Sequence, residues 1–292
     1  MGLDSLTLRE SAFTYVRSCA ERRGGTITRA ELEGFTFDGV RVQLIAPMQG
    51  INNPAVLDAC ISVVSSPNGP YEDDAVSDGI WDYAYEGTTA GRTNIKLRRA
   101  MELGLPIIFL EKVRDGIYIP YTNVVVVGDR PHDLRFELAL ADVSQLGNPA
   151  DDTAVERAYR EVVVEQRLHQ PKFRARVLTA YDTQCTVCHF KHAELLDAAH
   201  ILGDKHERGD AVVTNGMSMC KIHHAAYDRN FLGVSPDYEI RIDVDLLNEV
   251  DGPMLRYGLQ EMHGKQLILP KRASERPDRE RLAERFAEFS KA

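Results

Sequence analysis

The sequence predicts an α+β protein with two domains, on three observations. Residues 38–143 contain many short apolar segments separated by turn residues, which is typical of a compact β-barrel or curled sheet. Residues 185–224 interleave metal-ligand residues with a strand, loop, strand and helix pattern. A polar segment rich in turn residues separates these regions at 147–153. A length of 292 residues is sufficient for two ordinary domains.

The composition limits the classes of protein that the chain can be. Hydrophobic residues make up 43% and charged residues 27%, as in soluble globular proteins. No run of about eighteen apolar residues occurs, so we expect no membrane partner. The first residues lack the basic and apolar regions of a secretory signal, and three of the five cysteines fall in one metal-ligand cluster, so we expect a cytoplasmic location.

The charge balance bears on nucleic-acid binding. The net charge of −9 argues against it, because Lys and Arg drive binding to phosphates. Residues 171–241, however, contain nine basic and nine acidic residues. Local patches matter more than totals, so a nucleic-acid partner for this region is not excluded.

The N-terminal segment, residues 1–37, is predicted to contain two short helices. Apolar residues recur at helical spacing from Leu8 to Ala20, Gly24 and Gly25 end the first helix, and Thr28 caps the second. We interpret this segment as a packing subdomain or a dimer contact. A helix-turn-helix that reads DNA is the alternative.

The strand-rich domain is predicted at residues 38–145, and a linker helix within residues 146–171 follows it. The domain has one helix candidate, at 94–103, and strand candidates at 40–45, 60–65, 81–85, 106–110, 116–119 and 123–127. The linker helix has an apolar stripe between 153 and 168 and ends at Pro171. The last domain, residues 172–292, ends in a charged helix at 277–289.

Four soft metal ligands lie in this last domain: Cys185, Cys188, Cys220 and His223. Each pair is spaced i, i+3, so both ligands of one tight knuckle can reach the same ion. The set therefore predicts a tetrahedral, structural Zn²⁺ site. The nearby His189 and His192 are alternative zinc ligands.

Beside the zinc ligands lie three residues that a structural zinc site does not use: His200, Asn215 and His224. Apolar neighbours place His200 at the end of a buried strand. Asn215 is predicted near the following turn, and His224 in the first turn of a helix. A zinc site built around a spare His–Asn–His set indicates a reaction centre. The alternative is a zinc ribbon or treble-clef module with unused histidines.

These motifs, in this order, resemble an HNH endonuclease of the ββα-metal, or His-Me finger, type over residues 173–241. The residues that carry the resemblance are Tyr181, Cys185-Thr186-Val187-Cys188, Leu196-Asp197-Ala198-Ala199-His200-Ile201, Asn215-Gly216, Cys220-Lys221-Ile222-His223-His224 and Tyr227-Asp228. The resemblance implies that His200 is the general base that activates water and that Asn215 orders the loop that aims it. It also implies that His224 holds one divalent cation, Mg²⁺ or Mn²⁺.

One position departs from the family pattern. Many members have an acidic ligand directly before the base, where this chain has Ala199. Asp197 is the nearest carboxylate, and we expect it to be a second ligand of the catalytic metal or a partner of such a ligand. Strand alternation points Asp197 away from the face of His200. Asp228 is an alternative partner.

An acidic loop between aromatic residues marks residues 70–97. Aromatic faces stack on a nucleobase, and a carboxylate accepts a hydrogen bond from an exocyclic amine such as cytosine N4. An acidic surface turn beside core tyrosines is the alternative. The spacing is similar to that of the SRA domain, a PUA-like barrel that reads modified cytosine, over residues 40–140. That resemblance implies that Tyr71 and Tyr85 sandwich a flipped base, that Asp74 binds its Watson–Crick edge, and that Asn94 or Arg92 enters the duplex near the gap.

Together, the two resemblances imply a prokaryotic modification-dependent restriction endonuclease. It would hydrolyse double-stranded DNA that carries 5-methylcytosine or 5-hydroxymethylcytosine. One HNH site normally cuts one strand, so double-strand cleavage predicts a homodimer. The alternatives are an HNH nuclease or nickase that reads something else, and a zinc-stapled DNA-binding protein without catalysis.

Overall fold

The computed structural model describes residues 5–47, 49–65, 74–77, 80–87, 91–141 and 169–291. The chain divides into two compact units, Met1–His169 and Gln170–Ala292. The division falls two residues before the predicted start of the last domain at residue 172. Both units mix helices and strands, which confirms the predicted α+β class. The predicted linker helix at 153–168 lies outside the described residues.

The described residues of the first unit form three helices and ten strands. The helices are α1 (Ser5–Arg22), α2 (Arg29–Gly34) and α3 (Arg92–Glu102). The strands are β1 (Ile27–Thr28), β2 (Thr36–Phe37), β3 (Val40–Arg41), β4 (Ile51–Asn52), β5 (Ser62–Ser65), β6 (Asp74–Ser77), β7 (Ile80–Ala84), β8 (Ile107–Arg114), β9 (Ile117–Arg130) and β10 (Arg135–Leu140).

Most of these strands belong to one mixed sheet with the order β4-β5-β8-β9-β10-β7-β6, and β1 pairs with β9 outside that path. Only the β5–β8 pair is parallel among the described pairs. The strands predicted at 116–119 and 123–127 are one continuous strand, β9. Register shifts between β8 and β9 bend the sheet, as β-bulges do.

The core of the first unit lies between α1, α2 and one face of this sheet. Thr28 caps α2 as predicted: its side chain accepts from the Glu31 amide, and the Glu31 side chain accepts from the Thr28 amide. The strand predicted at 40–45 is wrong beyond Arg41. The amides of Val42 and Leu44 donate to carbonyls of Phe35 and Leu32, so this segment packs into the core as a loop.

The described residues of the second unit form five α-helices and four strands. The helices are α4 (Gln170–Ala180), α5 (Lys221–Asp228), α6 (Val244–Asn248), α7 (Pro253–Gly258) and α8 (Arg279–Phe289). The strands are β11 (Leu196–His200), β12 (Gly216–Cys220), β13 (Leu232–Val234) and β14 (Ile240–Ile242). The short 3-10 helix Val213–Asn215 leads into β12.

The element that positions the candidate site is the strand–strand–helix unit β11-β12-α5. β11 and β12 are antiparallel, with His200 opposite Gly216 and Leu196 opposite Cys220. α5 begins directly after β12, because Cys220 is both the last strand residue and the N-cap. The C-terminal helix predicted at 277–289 is α8, which is capped by Asp278. Within the described residues, no helix has the length and apolar character needed to cross a membrane.

Candidate active site and metal centre

The four predicted zinc ligands meet in the second unit. One ligand atom from each of Cys185, Cys188, Cys220 and His223 lies within 4.8 Å of the others. The Cys188 and Cys220 sulfurs are 4.0 Å apart, and His223 Nδ1 lies 3.1 Å from Cys220 Sγ and 3.5 Å from Cys185 Sγ. Around a tetrahedral zinc ion, bond lengths of about 2.3 Å to sulfur and about 2.0 Å to nitrogen give separations of about 3.5–3.8 Å. The cluster could therefore bind a single zinc ion.

His223 is oriented for this role by a contact on its other nitrogen. Nε2 lies 2.7 Å from the Gly258 carbonyl oxygen. A carbonyl only accepts, so Nε2 carries a proton, and with a metal bound the deprotonated Nδ1 would present its lone pair to the ion. His189 and His192 are not members of the cluster, and both are exposed.

Three residues of the cluster have pKa values that are shifted by their neighbours. Hydrogen bonding with Cys185 raises the pKa of Cys188 and lowers the pKa of Cys220. Burial lowers the pKa of His223, but bonds to Cys185 and Cys220 outweigh it and raise that pKa to about 10. A bound cation favours the ionised form of its thiol ligands, which is the chemistry of a zinc–thiolate site.

His200 ends β11 and is held by a neighbouring ring. Its imidazole stacks on Phe173 of α4, with ring centres 4.0 Å apart and an interplanar angle of 14°. Nε2 lies 2.9 Å from Asp204 Oδ1, but the contact lacks hydrogen-bond direction, so this buried nitrogen has no hydrogen-bond partner among the described residues. Burial is the main cause that lowers the pKa of His200, so the ring is neutral near pH 7.

Asn215 is fully buried and closes the loop between β11 and β12. Its Oδ1 accepts from the Leu202 amide at 3.0 Å, and its Nδ2 donates to the carbonyls of Leu202 at 2.9 Å and Asp210 at 3.1 Å. The Asn215 carbonyl accepts from the Ile201 amide at 2.9 Å. These bonds fix the chain on the C-terminal side of His200.

His224 and Asp197 face each other from α5 and β11. His224 Nδ1 lies 3.5 Å from Asp197 Oδ2, and Nε2 lies 3.4 Å from Asp228 Oδ2. The bond with Asp197 raises the pKa of His224, and the same bond is the main cause that lowers the pKa of Asp197 to about 2. Two ligands of one ion at about 2.1 Å would lie about 3.0–3.4 Å apart, so this pair has nearly the spacing of a shared cation site.

Two cationic side chains contact Asp197 in addition to His224. Lys221 Nζ lies 2.7 and 2.6 Å from its two carboxylate oxygens, and Arg174 Nε lies 3.8 Å from Oδ1. Arg174 is itself held by the carbonyls of Ala193 and Leu196. His224 also lies close enough to His200 for its charge to lower the pKa of His200. His224 of α5 thus contacts Asp197 of β11, and Asn215 holds the loop that follows His200 at the end of the same strand.

Sequence reasoning missed Phe173, Arg174 and Lys221. Phe173 and Arg174 precede His200 by more than twenty residues, and no spacing rule joins them to it. Lys221 had a usable signal: it is three residues before His224 on α5, and residues at this spacing share one face of a helix.

The residues predicted for base recognition lie in the first unit. Tyr71 lies outside the described residues, and Asp74 starts β6, whose side chains are not described. Tyr85 is buried, with 2% of its surface exposed; its ring packs on Phe136 and its hydroxyl bonds to Asp129 and Arg98. This placement does not offer a ring face to a base.

Asn94 is also buried, near the N-terminus of α3. Its amide bonds to the backbone nitrogen and oxygen of Glu86, at 3.0 and 3.1 Å. The side chain therefore joins the end of β7 to the start of α3. That placement differs from the expected position of a residue that enters a duplex.

Comparison with known proteins identifies the second unit. Residues 185–235 match the HNH endonuclease family. No curated protein matches the chain. Among solved structures, the chain is similar to the modification-dependent restriction endonuclease TagI, with 16% identity, 82% of this chain and 85% of that chain covered, and a TM-score of 0.32.

Two further structures are similar to parts of the chain. The SUVH5 SRA domain in complex with hemimethylated CG DNA is 19% identical, with 32% of this chain and 73% of that chain covered and a TM-score of 0.27. The phosphorothioation-dependent restriction endonuclease ScoMcrA is 18% identical, with 61% and 50% covered and a TM-score of 0.25. All three TM-scores are low. On the family match, the second unit carries an HNH endonuclease domain over residues 185–235, which supports DNA endonuclease activity.

Proposed function

We propose that the protein is a modification-dependent restriction endonuclease. The first unit would read 5-methylcytosine or 5-hydroxymethylcytosine in double-stranded DNA, and the second would hydrolyse the phosphodiester backbone. The observation that carries the nuclease half is the buried Nε2 of His200, which has no hydrogen-bond partner among the described residues and lies on the strand that also carries Asp197. The reader half rests on the sequence of residues 70–97.

In the proposed mechanism His200 takes the proton from the attacking water at Nε2. Because burial lowers its pKa, the ring is in the neutral form that can accept a proton at pH 7. Asp204 Oδ1, 2.9 Å from Nε2, would stabilise the imidazolium that forms. Asn215 would hold the loop so that this nitrogen stays aimed.

We assign His224 and Asp197 as the residues that would hold one divalent cation, Mg²⁺ or Mn²⁺. An imidazole nitrogen and a carboxylate oxygen 3.5 Å apart suit such an ion. When bound, the cation would supply stabilisation of charge on the phosphate and on the leaving 3′ oxygen. Lys221 and Arg174, which contact Asp197, provide positive charge for a DNA phosphate. The Cys185, Cys188, Cys220 and His223 cluster would hold structural Zn²⁺.

For the reader we propose that Tyr71 and Asp74 contact a flipped base, as the SRA resemblance implies. We revise the part of Tyr85, since its ring is buried against Phe136 and its hydroxyl is bonded to Asp129. Tyr85 would support the base pocket from the core. Asn94 would fix the turn between β7 and α3 through Glu86.

Cleavage of both strands would need two HNH sites, so we propose a homodimer on the DNA. The second candidate function is an HNH nuclease or nickase that reads another modification. The burial of Tyr85, one of the two residues predicted to stack on the base, favours testing it.

The nuclease assignment is tested with His200→Ala. Matched plasmids that carry cytosine, 5-methylcytosine, 5-hydroxymethylcytosine or glucosylated 5-hydroxymethylcytosine are digested with Mg²⁺ or Mn²⁺. We expect the wild type to cut a modified plasmid and His200→Ala to lose at least about 100-fold in rate. His192→Ala, an exposed histidine of the same unit, is the matched control and should cut normally. Unchanged cleavage by His200→Ala would refute His200 as the base.

The reader assignment is tested separately with Asp74→Ala on the same plasmids. We expect the preference for modified over unmodified DNA to disappear while the intrinsic rate of strand cleavage persists. A preference that survives in full would remove Asp74 from the pocket. A wild type that cuts all four plasmids equally would overturn the reader and leave the nuclease in place.

A further inference from the structure

The ring stacked on His200 is the feature that the proposed mechanism does not use. Phe173 lies in α4 and is 3% exposed. Its ring is nearly parallel to the His200 imidazole, at 14°, with centres 4.0 Å apart. A nearly parallel stack at this distance covers one whole face of the imidazole, so water cannot approach the ring from that side.

A glycine on the neighbouring strand makes this stack possible. Gly216 lies opposite His200 in the β11–β12 register. A Cβ built at Gly216 would lie 2.5 Å from Val177 Cγ2 and 2.8 Å from Phe173 Cζ, which is closer than carbon atoms approach. Gly216 has φ −130° and ψ 146°, an extended conformation that any residue adopts. The glycine is therefore required for space and not for backbone conformation.

The other sides of His200 are polar. Asp204 on the loop lies 2.9 Å from Nε2, and His224 and Asp228 of α5 act on the ring electrostatically. An imidazole at the end of a strand can rotate about χ1 and χ2 unless packing prevents it. Among the described residues, Phe173 supplies the aromatic contact that fixes the plane of the ring.

We propose that Phe173 is a positioning residue for the endonuclease reaction: it holds the His200 ring in one plane and keeps water from its covered face, so that Nε2 points to the attacking water. Gly216 is the second part of this device, because it leaves the space in which the Phe173 ring lies. The inference rests on the proposed role of His200. Phe173 itself touches neither substrate nor metal in this assignment.

The test compares Phe173→Leu with Val177→Ala in the full chain. Both side chains lie where a Cβ at Gly216 would be, so both variants lose packing against β12, whereas the ring stack on His200 is made by Phe173. We expect Phe173→Leu to lower kcat about tenfold or more with KM for DNA nearly unchanged, as misplacement of a reacting group does. Val177→Ala should keep kcat within about twofold of the wild type. Equal kcat values for the two variants would overturn the proposal.

A spectroscopic measurement tests the stack independently of activity. In protein with ¹³C-labelled histidine, the His200 ring signals are assigned by their loss in His200→Ala. We expect them to be shifted upfield in the wild type by the Phe173 ring, with direct proton–proton contacts to it, and to return to ordinary positions in Phe173→Leu. Gly216→Ala, which pushes on Phe173, should give the same return. If Phe173→Leu does not fold, the wild-type spectrum is the test. The absence of proton–proton contacts between the two rings would then overturn the proposal.

The two measurements separate this inference from the proposed function. If His200→Ala cuts DNA normally, the assignment of the base is wrong whatever the spectrum shows. If His200→Ala is inactive while Phe173→Leu has normal kcat, only the positioning role is wrong.

Discussion

Replacement of Asn215 by Ala tests whether the site loop is held by one buried amide. The Asn215 side chain makes three hydrogen bonds, and the two with Leu202 are buried. Removal of one partner from a buried hydrogen bond costs about 1–3 kcal/mol for the group left behind. Asn215→Ala leaves the amide and carbonyl of Leu202 and the partly exposed carbonyl of Asp210 without this partner. The free energy of unfolding should therefore fall by about 3 kcal/mol or more. With a urea m-value of about 2 kcal/mol/M, the midpoint of the second unit should fall by about 1.5 M.

The assay must report each unit separately. Trp81 is the one tryptophan of the chain and lies in the first unit, so its fluorescence follows that unit alone. Hydrogen exchange in urea, resolved by peptides that cover β11 and β12, follows the second unit. We expect the Trp81 transition to be unchanged and exchange in the β11 and β12 peptides to accelerate.

Asn215→Asp separates hydrogen bonding from side-chain volume. It preserves the volume and the acceptor for the Leu202 amide but replaces both donors by a carboxylate that faces two carbonyls. We therefore expect it to be at least as unstable as Asn215→Ala. A second unit that keeps its wild-type urea midpoint in Asn215→Asp, or loses less than about 1 kcal/mol in Asn215→Ala, would refute this account of the loop.

Three further predictions concern contacts in both units. Because the bond with Asp197 raises the pKa of His224, Asp197→Asn should move the NMR titration of His224 to lower pH in buffer without divalent ions; an unmoved titration would contradict the contact. Arg208→Ala should change the unfolding free energy of the second unit by less than about 1 kcal/mol, although three carboxylates lie within 4 Å, because exposed ion pairs contribute little; a larger loss by urea titration would contradict this. Tyr85→Phe should lower the stability of the first unit by about 1–2 kcal/mol, read from Trp81 fluorescence, and leave the preference for modified DNA intact; loss of that preference would restore Tyr85 to base contact.

The four ligands of the metal cluster were predictable because each pair is local in sequence. Cys185 and Cys188 are three residues apart, as are Cys220 and His223, and this spacing limits how each pair can present its atoms. The C-terminal helix α8 was also predictable, since the Asp278 cap is a local signal and the helix ends at the predicted residue, Phe289. Strand β10 was missed, although Phe136, Leu138 and Leu140 alternate with less apolar residues as in a half-buried strand.

Contacts between distant segments could not be predicted from the sequence. Alternation along β11 places Asp197 and His200 on opposite faces of the strand. It does not predict that Lys221 and His224 of α5 contact the Asp197 carboxylate. Tyr85 was expected at the surface of a base pocket because aromatic residues suit both cores and binding sites, and only packing against Phe136 distinguishes the two. The predicted strand at 40–45 failed for a similar reason: its apolar residues are buried, but against helices.

One turn of helix serves both centres of the second unit, and this coupling has a testable consequence. Cys220 and His223 belong to the metal cluster. Lys221 and His224, each one residue later in the chain, contact Asp197. Successive helical residues are about 100° apart, so His223 and His224 occupy neighbouring faces of α5 and rotate together. We therefore expect a metal bound at the cluster to fix the rotation of the helix and thereby to orient His224.

Cys188→Ser should therefore weaken Mn²⁺ binding at the His224 and Asp197 pair, measured by calorimetry without DNA, although Cys188 does not contact that pair. Asp197→Asn should weaken the same binding but leave the zinc content at one ion per chain, because Asp197 lies outside the cluster. If Cys188→Ser bound Mn²⁺ as tightly as the wild type, the two centres would be independent, and the cluster would support the fold without setting the geometry of the site.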